Sequence, residues 1–557
     1  MAKRRKKRIR YDKIFIAMIL FFGIIFGGYK LFKIINPRLV SVDYYLASDT
    51  NTVDVYDYSK ENGLSKATSL TRGTKVSSYN KKVTVTDNDY INVTIGENNY
   101  YVDLDNLSLD SKNVVLEKNK YVRTSVTVYE NEIDSKITSF VKKGNAVEVL
   151  DYDKIDDDGV VNMYKIKYGD ISGWVYQKYL VDTEEVAKEN YNENGIYDKH
   201  KNRKYSTELY GGKASTLDYY PYEKPSFSDN PILETAKAMY LNAGADTLSD
   251  IDEYLNIATS SGVNAIVVDI KDGALAYPSE VAKEYSKRAY NSAINKLDKY
   301  KKVIDKIKAA NIYVIGRIVV FNDTHFGKDN PDECIKSSYA NWPSGFSRLA
   351  WEYNVSLARE AVSLFGFNEI QFDYVRFPEA AYEMSKNKNT DFKNKYKEEK
   401  AEAIQNFLFY AADQLHKDNV YLSVDVFGEC SGTYVTSYGQ YWPAISNIVD
   451  AISSMPYTDH FGREVDTWSN PYTTVYNWAK GAAARQKEIA TPAIPRTWIT
   501  AYNTPYWNPT VVYDASKISD QATALSKAGL KGGFITWNSA SNINKYKQIK
   551  SAFKKDY

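Results

Sequence analysis

Residues 41–183 alternate apolar and polar positions over short runs such as VTVTDNDYINVTI and VEVLDYDKI, interrupted by Gly, Asp and Asn, which predicts small β-barrels with no helix. Within this region a repeat can be counted. Val53-Asp54-Val55-Tyr56 returns as Val126-Thr127-Val128-Tyr129, Gly96 as Gly169, Tyr101 as Trp174 and Leu107 as Leu180, each 73 positions later. A constant offset implies duplicated modules, placed at 41–115 and 116–183. Residues 184–230 lack a period and predict a polar linker, with tyrosines that could pack it in part.

From Pro231 the pattern changes to strand, helix, strand. Eight apolar runs predict buried strands: 237–242, 264–270, 312–321, 369–377, 420–427, 449–455, 496–502 and 532–538. Amphipathic stretches such as WEYNVSLAREAVSLF and EEKAEAIQNFLFYAADQLH lie between them. Eight β/α units over residues 231–557 predict a (β/α)8 TIM-type barrel with inserted loops. A doubly wound open sheet competes, but no GxGxxG follows the first strand.

The N-terminus shapes the expected cell address. Eight Lys/Arg fall within residues 1–13, followed by an apolar stretch at 14–35. This predicts a basic cytoplasmic tail, a transmembrane helix and a single-pass cell-membrane protein with the bulk of its chain outside. A cleaved signal peptide competes, but no A-x-A-like site follows the apolar core. The expected fold class is therefore multidomain: a membrane helix, two small all-β barrels and a C-terminal TIM-type barrel.

Charge excludes one class of partner. The chain has 72 Lys+Arg and 70 Asp+Glu. Residues 1–40 hold eleven cations and one anion, so the remainder carries 61 against 69, a net of −8, which does not suit nucleic acid. The two cysteines, Cys334 and Cys430, build no disulfide framework. Forty-nine tyrosines offer flat surfaces with a hydroxyl for stacking on sugars, although biased genomic composition gives the same count.

Candidate chemistry rests on acids near strand ends. Asp373 sits in EIQFDYVRFP, Asp269 and Asp272 in VVDIKD, and Asp425 in LSVDVFG. Carboxylates at the C-terminal ends of barrel strands line active sites, and glycosidic cleavage commonly uses two of them. Asp373 and Asp425 on neighbouring strands form one pair, while Asp459 in MPYTDHFG and Glu429 compete as the second acid. Arg317 and Arg376 are cations in apolar settings, read as structural partners of a carboxylate or as substrate handlers. Trp498, Tyr502, Tyr506, Trp507 and Trp537 are candidate aromatic platforms, and His460 could hydrogen-bond a sugar hydroxyl. No H-x-x-x-H, C-x-x-C, G-x-S-x-G or GxxxxGK motif occurs, so no metal or cofactor is expected.

Residues 232–550, with AMYLNAG, NAIVVDIKD, IGRIVVF, EIQFDYVRFP, VDVFG and MPYTDHFG, resemble a family of glycoside-hydrolase-type barrels. These follow membrane anchors and SH3-like modules in Gram-positive bacteria and are distantly similar to α-amylase and α-galactosidase barrels. The second β-module, with Gly173-Trp174-Val175, resembles bacterial SH3-like domains, whose role is docking to cell-wall peptides or wall polymers; the first is divergent. The resemblance implies a nucleophile at Asp373 and an acid/base after the fifth or sixth strand. It departs from the family pattern around Tyr457-Thr458-Asp459. The expected function is hydrolysis of a cell-wall or capsule-type polysaccharide, Asp373 and Asp425 acting as nucleophile and acid/base of a retaining reaction. The alternative is a silent barrel that, with the SH3-like modules, binds wall glycan as a scaffold.

Overall fold

The computed structural model describes residues 41–557, apart from 49–51, 112–113, 115–117, 134–135, 203–210, 338–340, 463 and 505–507. The expected basic tail (1–13) and membrane helix (14–35) lie outside these. Among the described residues no helix is long and apolar enough to cross a membrane. The longest elements show why: helix Arg348–Phe365 has 18 residues but carries Arg348, Glu352, Arg359 and Glu360. The described chain opens in β-structure at Val42. The expected fold class is corrected for the described residues, which form two antiparallel sheets and a closed barrel with no membrane-crossing helix, and among them nothing supports the single-pass cell-membrane localisation.

The chain divides into two compact units. One takes in most of the residues up to 187; the other holds 188–557 together with 125–127 and 133–140. Residues 42–181 form two antiparallel sheets. The first runs in the order Gly63–Thr71, Thr52–Ser59, Asn98–Asp103, Asn88–Ile95, Lys75–Ser78, Val42–Leu46, Leu107–Ser108. The second runs Ile137–Val141, Val126–Tyr129, Ile171–Tyr176, Met163–Tyr168, Ala146–Tyr152, Asn119–Val122, Leu180–Val181. Both share this seven-strand path, the first adding Lys82–Val85 beside Asn88–Ile95, and registers recur: Tyr56 faces Tyr101 as Tyr129 faces Trp174, and Ile91 faces Val102 as Tyr164 faces Val175. These pairs stand 73 residues apart. Leu46, Val53, Val55, Val76, Ile91, Val93 and Val102 fill the core of the first sheet; burying each such side chain contributes roughly 1.5–3 kcal/mol.

In the second unit eight parallel strands close on themselves: Ala236–Leu241, Ala265–Asp272, Tyr313–Val319, Glu369–Asp373, Tyr421–Phe427, Ala451–Met455, Ile494–Thr500 and Gly533–Trp537. The first pairs with both the second and the eighth, which closes the barrel. Alternate residues point inward. Ala238, Val267, Ile315 and Ile535 fill the middle of the barrel. The fourth strand ends at Asp373, not at Phe377 as the apolar run suggests, because Tyr374 takes a positive φ of 54° and turns the chain.

The stretch read as a linker also packs. Tyr197, Ala214, Leu217 and Tyr219 share a buried cluster with Ala401, Val435, Tyr441 and Ala444, and Lys224 donates to the carbonyls of Ser446, Asn447 and Val449. Its tyrosines supply the apolar area that a period would otherwise have signalled.

Candidate active site

At the C-terminal end of the barrel, strand register brings four acids around one cation. Asp269 on the second strand is aligned with Arg317 on the third, and Arg317 with Gln371 on the fourth, two residues before Asp373. Arg317 Nη1 lies 2.7 Å from Asp269 Oδ1 and 3.1 Å from Asp272 Oδ2; Nη2 lies 2.7 Å from Asp373 Oδ2. Its Nε is 3.3 Å from Asp373 Oδ2 and 3.8 Å from Asp425 Oδ2. A planar guanidinium suits this, since its donors leave in fixed directions toward separate carboxylates. Burial opposes its charge, but the carboxylates outweigh burial and push its pKa upward.

The acids differ in setting. Asp373 Oδ1 accepts the Tyr374 backbone N–H at 2.6 Å. Asp269 also accepts from the Tyr240 hydroxyl, and burial pushes its pKa up to about 6 against the pull of Arg317. Asp425 accepts from Trp498 Nε1 at 2.7 Å; burial first, then the charge of Asp373, push it well above the usual carboxylate range. Asp459, after the sixth strand, accepts from Tyr502 Oη at 2.7 Å and pairs with His460 Nδ1 at 2.9 Å. Burial raises its pKa, yet those hydrogen bonds outweigh it and hold it low.

A cavity of about 1010 Å³ opens at this end. Arg317, Asp373, Asp272, Arg376, His460, Trp498 and Trp537 lie on its wall; Asp269, Asp425 and Asp459 do not. Trp498 and Trp537 meet edge to face at 5.4 Å, and the Arg317 guanidinium sits 5.5 Å from the Trp537 ring centre. Arg376 turns to Glu379, 3.3 Å away, and stacks on Phe427 and Tyr374 at 4.3 and 4.7 Å. Glu429 also lines the cavity, held by Tyr434 Oη at 3.1 Å and Tyr438 Oη at 2.9 Å. Tyr506 and Trp507 lie outside the described residues. The far wall, with Asn477 and Trp478 on helix Pro471–Gln486, escaped the sequence reading because its amphipathic pattern reads as packing alone. Among the described residues no group of His, Cys, Asp and Glu is arranged to hold a metal ion.

A closed barrel with carboxylates and aromatic side chains gathered at the C-terminal strand ends is the layout of a barrel enzyme. Residues 238–544 match the family described as "Putative glycosyl hydrolase domain", and the chain belongs to that family. No curated protein matches. Among solved structures, a hypothetical protein from Ruminiclostridium thermocellum ATCC 27405 is 34% identical, over 34% of this chain and 97% of its own, with a TM-score of 0.28. The PgaB (BpsB) glycoside hydrolase domain from Bordetella bronchiseptica is 11% identical over 58% of this chain and 100% of its own, with a TM-score of 0.43. The spore cortex-lytic enzyme SleL of Bacillus megaterium QM B1551 is 12% identical over 58% and 75%, with a TM-score of 0.36.

Proposed function

We propose that the barrel is a glycoside hydrolase acting on a cell-wall or capsule-type polysaccharide, with Asp373 as nucleophile and Glu429 as acid/base. The observation that carries this reading is Asp373 itself: a carboxylate at the end of the fourth strand, paired to Arg317 and open to a cavity walled by Trp498 and Trp537. Asp373 attacks the anomeric carbon while Glu429 gives a proton to the leaving oxygen; Glu429 then takes a proton from the water that releases the sugar. Glu429 is preferred to Asp425 because it faces the cavity, whereas the Asp425 side chain has 0% exposure. Arg376, His460 and Trp537 bind the sugar, the ring by stacking and the polar groups by hydrogen bonds to hydroxyls, while Trp498, 1% exposed, holds Asp425 instead of offering a free face. Asp269 holds Arg317 from the side opposite Asp373. The two antiparallel sheets at 42–181 are read as SH3-like modules that dock the same wall material.

The test is release of new reducing ends from a panel of wall and capsule glycans by the purified protein. Cleavage by the wild type that is absent in Asp373→Asn supports the reading; no cleavage of any glycan, with binding retained, favours a silent glycan-binding barrel.

A further inference from the structure

Arg317 faces four carboxyl groups with a single positive charge. Asp269 and Asp272 occupy Nη1 and Asp373 occupies Nη2, which leaves the Nε edge between Asp373 Oδ2 at 3.3 Å and Asp425 Oδ2 at 3.8 Å. Asp425 is fully buried, and its Oδ2 has no hydrogen-bond partner. Its Oδ1 accepts from Trp498, a ring on the cavity wall. A carboxylate that is out of water with one oxygen unpaired is strongly disfavoured, so the stable form carries its proton on Oδ2.

We propose that Asp425 is a positioning residue whose uncharged form leaves Arg317 to Asp373, and that its ionisation sets the alkaline limit of the site. Ionised, Asp425 would draw Nε away from Asp373 and add a second negative charge beside the attacking oxygen. The groups that face it are Arg317 on the third strand, Asp373 and Glu369 on the fourth, Tyr457 after the sixth and Trp498 on the seventh. Of these only Arg317 is a cation, and Asp373 shares it. Burial and the Asp373 charge raise the Asp425 pKa; Arg317 and the Trp498 hydrogen bond oppose them and lose. The inference rests on the glycosidase reading for its role but not for its electrostatics.

Asp425→Asn keeps shape and removes the titration. In the unfolded chain Asp425 ionises near 3.8, whereas the folded chain holds the proton. Wild-type stability therefore falls, relative to the variant, as pH rises from that value to the folded pKa, and no further above it. Melting temperatures of the full chain between about pH 4 and pH 9 should diverge in favour of Asp425→Asn, and parallel curves would overturn the proposal. On a glycan that the wild type cleaves, the ratio of activity at about pH 9 to that at about pH 6 should be higher in the variant. Loss of cleavage at every pH with parallel melting curves would make Asp425 directly catalytic instead. If the wild type cleaves no glycan, the glycosidase reading fails while the melting curves still decide this one. Should Asp425→Asn not fold, Trp498→Phe removes a hydrogen bond that favours the ionised form, and the fall in stability should extend to higher pH; an unmoved curve counts against the proposal.

Discussion

Arg317 Nη2 stands 2.7 Å from Asp373 Oδ2, and both side chains are buried, 3% and 7% exposed. The pair exists because alternation along two neighbouring strands turns both residues inward near the same end of the barrel. It is also where the charge of the site is settled, since three further carboxyls lean on the same guanidinium.

Removing that guanidinium should therefore cost more than removing any one acid. Arg317→Met leaves buried carboxylates without their counter-ion, and the expected loss is on the order of 3–5 kcal/mol, the cost of breaking a buried pair from one side. Asp373→Asn should cost less, because Asp269 and Asp272 still hold Arg317. Denaturant unfolding of the two variants checks the order; equal losses would show that Arg317 is not the hub.

Much of this was legible in the sequence. All eight barrel strands lie where apolar runs predict them, since strands buried on both faces write long Val/Ile/Leu segments into the chain. Asp373, Asp269, Arg317 and Asp425 could be picked out because a charge inside such a run needs either a buried partner or a chemical task. What the pattern could not carry was depth. Asp425 and Glu429 are four residues apart, yet one is sealed beneath Trp498 and the other faces the cavity, a difference set by the turn after Phe427 rather than by composition. The tyrosines of residues 197–222 hinted at some packing, but not at its partners, because isolated rings in a polar stretch have no period that points to a face.

The Asp459–His460 pair predicts a pH signature that needs no substrate. The hydrogen bond to Asp459 raises the His460 pKa above 6.5, against the opposing effect of burial. A His raised in the folded state contributes stability that is fully present below the unfolded pKa and lost as pH rises through the folded one. Nuclear magnetic resonance titration of His460 should give a midpoint above 6.5 that falls in Asp459→Asn. An unchanged midpoint in the variant would mean that the pair is not formed in solution.

Closure of the barrel depends on one glycine. Gly533 faces Ala236 where the eighth strand meets the first, with φ at 83°, and a Cβ there would fall on the Ala236 backbone. Neither strand can give way without losing ladder hydrogen bonds. Gly533→Ala should destabilise the barrel by at least ~1–3 kcal/mol, the range for a strained backbone conformation, with the clash added. Thermal melting checks this, and a variant as stable as the wild type would mean that the junction is more open than the register implies.

The acid/base role can be assigned by chemical rescue, given a substrate. Three carboxyls compete for it: Glu429 on the cavity wall, Asp425 beneath Trp498, and Asp459 behind His460. In a retaining enzyme stripped of its acid/base, the glycosyl-enzyme still forms from substrates with good leaving groups but waits for a nucleophile that needs no proton removed. Azide is such a nucleophile and is small enough for the cavity. Glu429→Ala should therefore lose roughly 10²–10⁴-fold in turnover, the usual contribution of general acid–base catalysis, and regain part of it with azide as a glycosyl azide of retained configuration. Asp459→Ala should show a smaller loss and no rescue, because Asp459 acts through His460 and Tyr502. Rescue of Asp425→Ala or Asp459→Ala with none for Glu429→Ala would move the proton donor to that residue, and product of inverted configuration from the wild type would remove Asp373 as a nucleophile altogether.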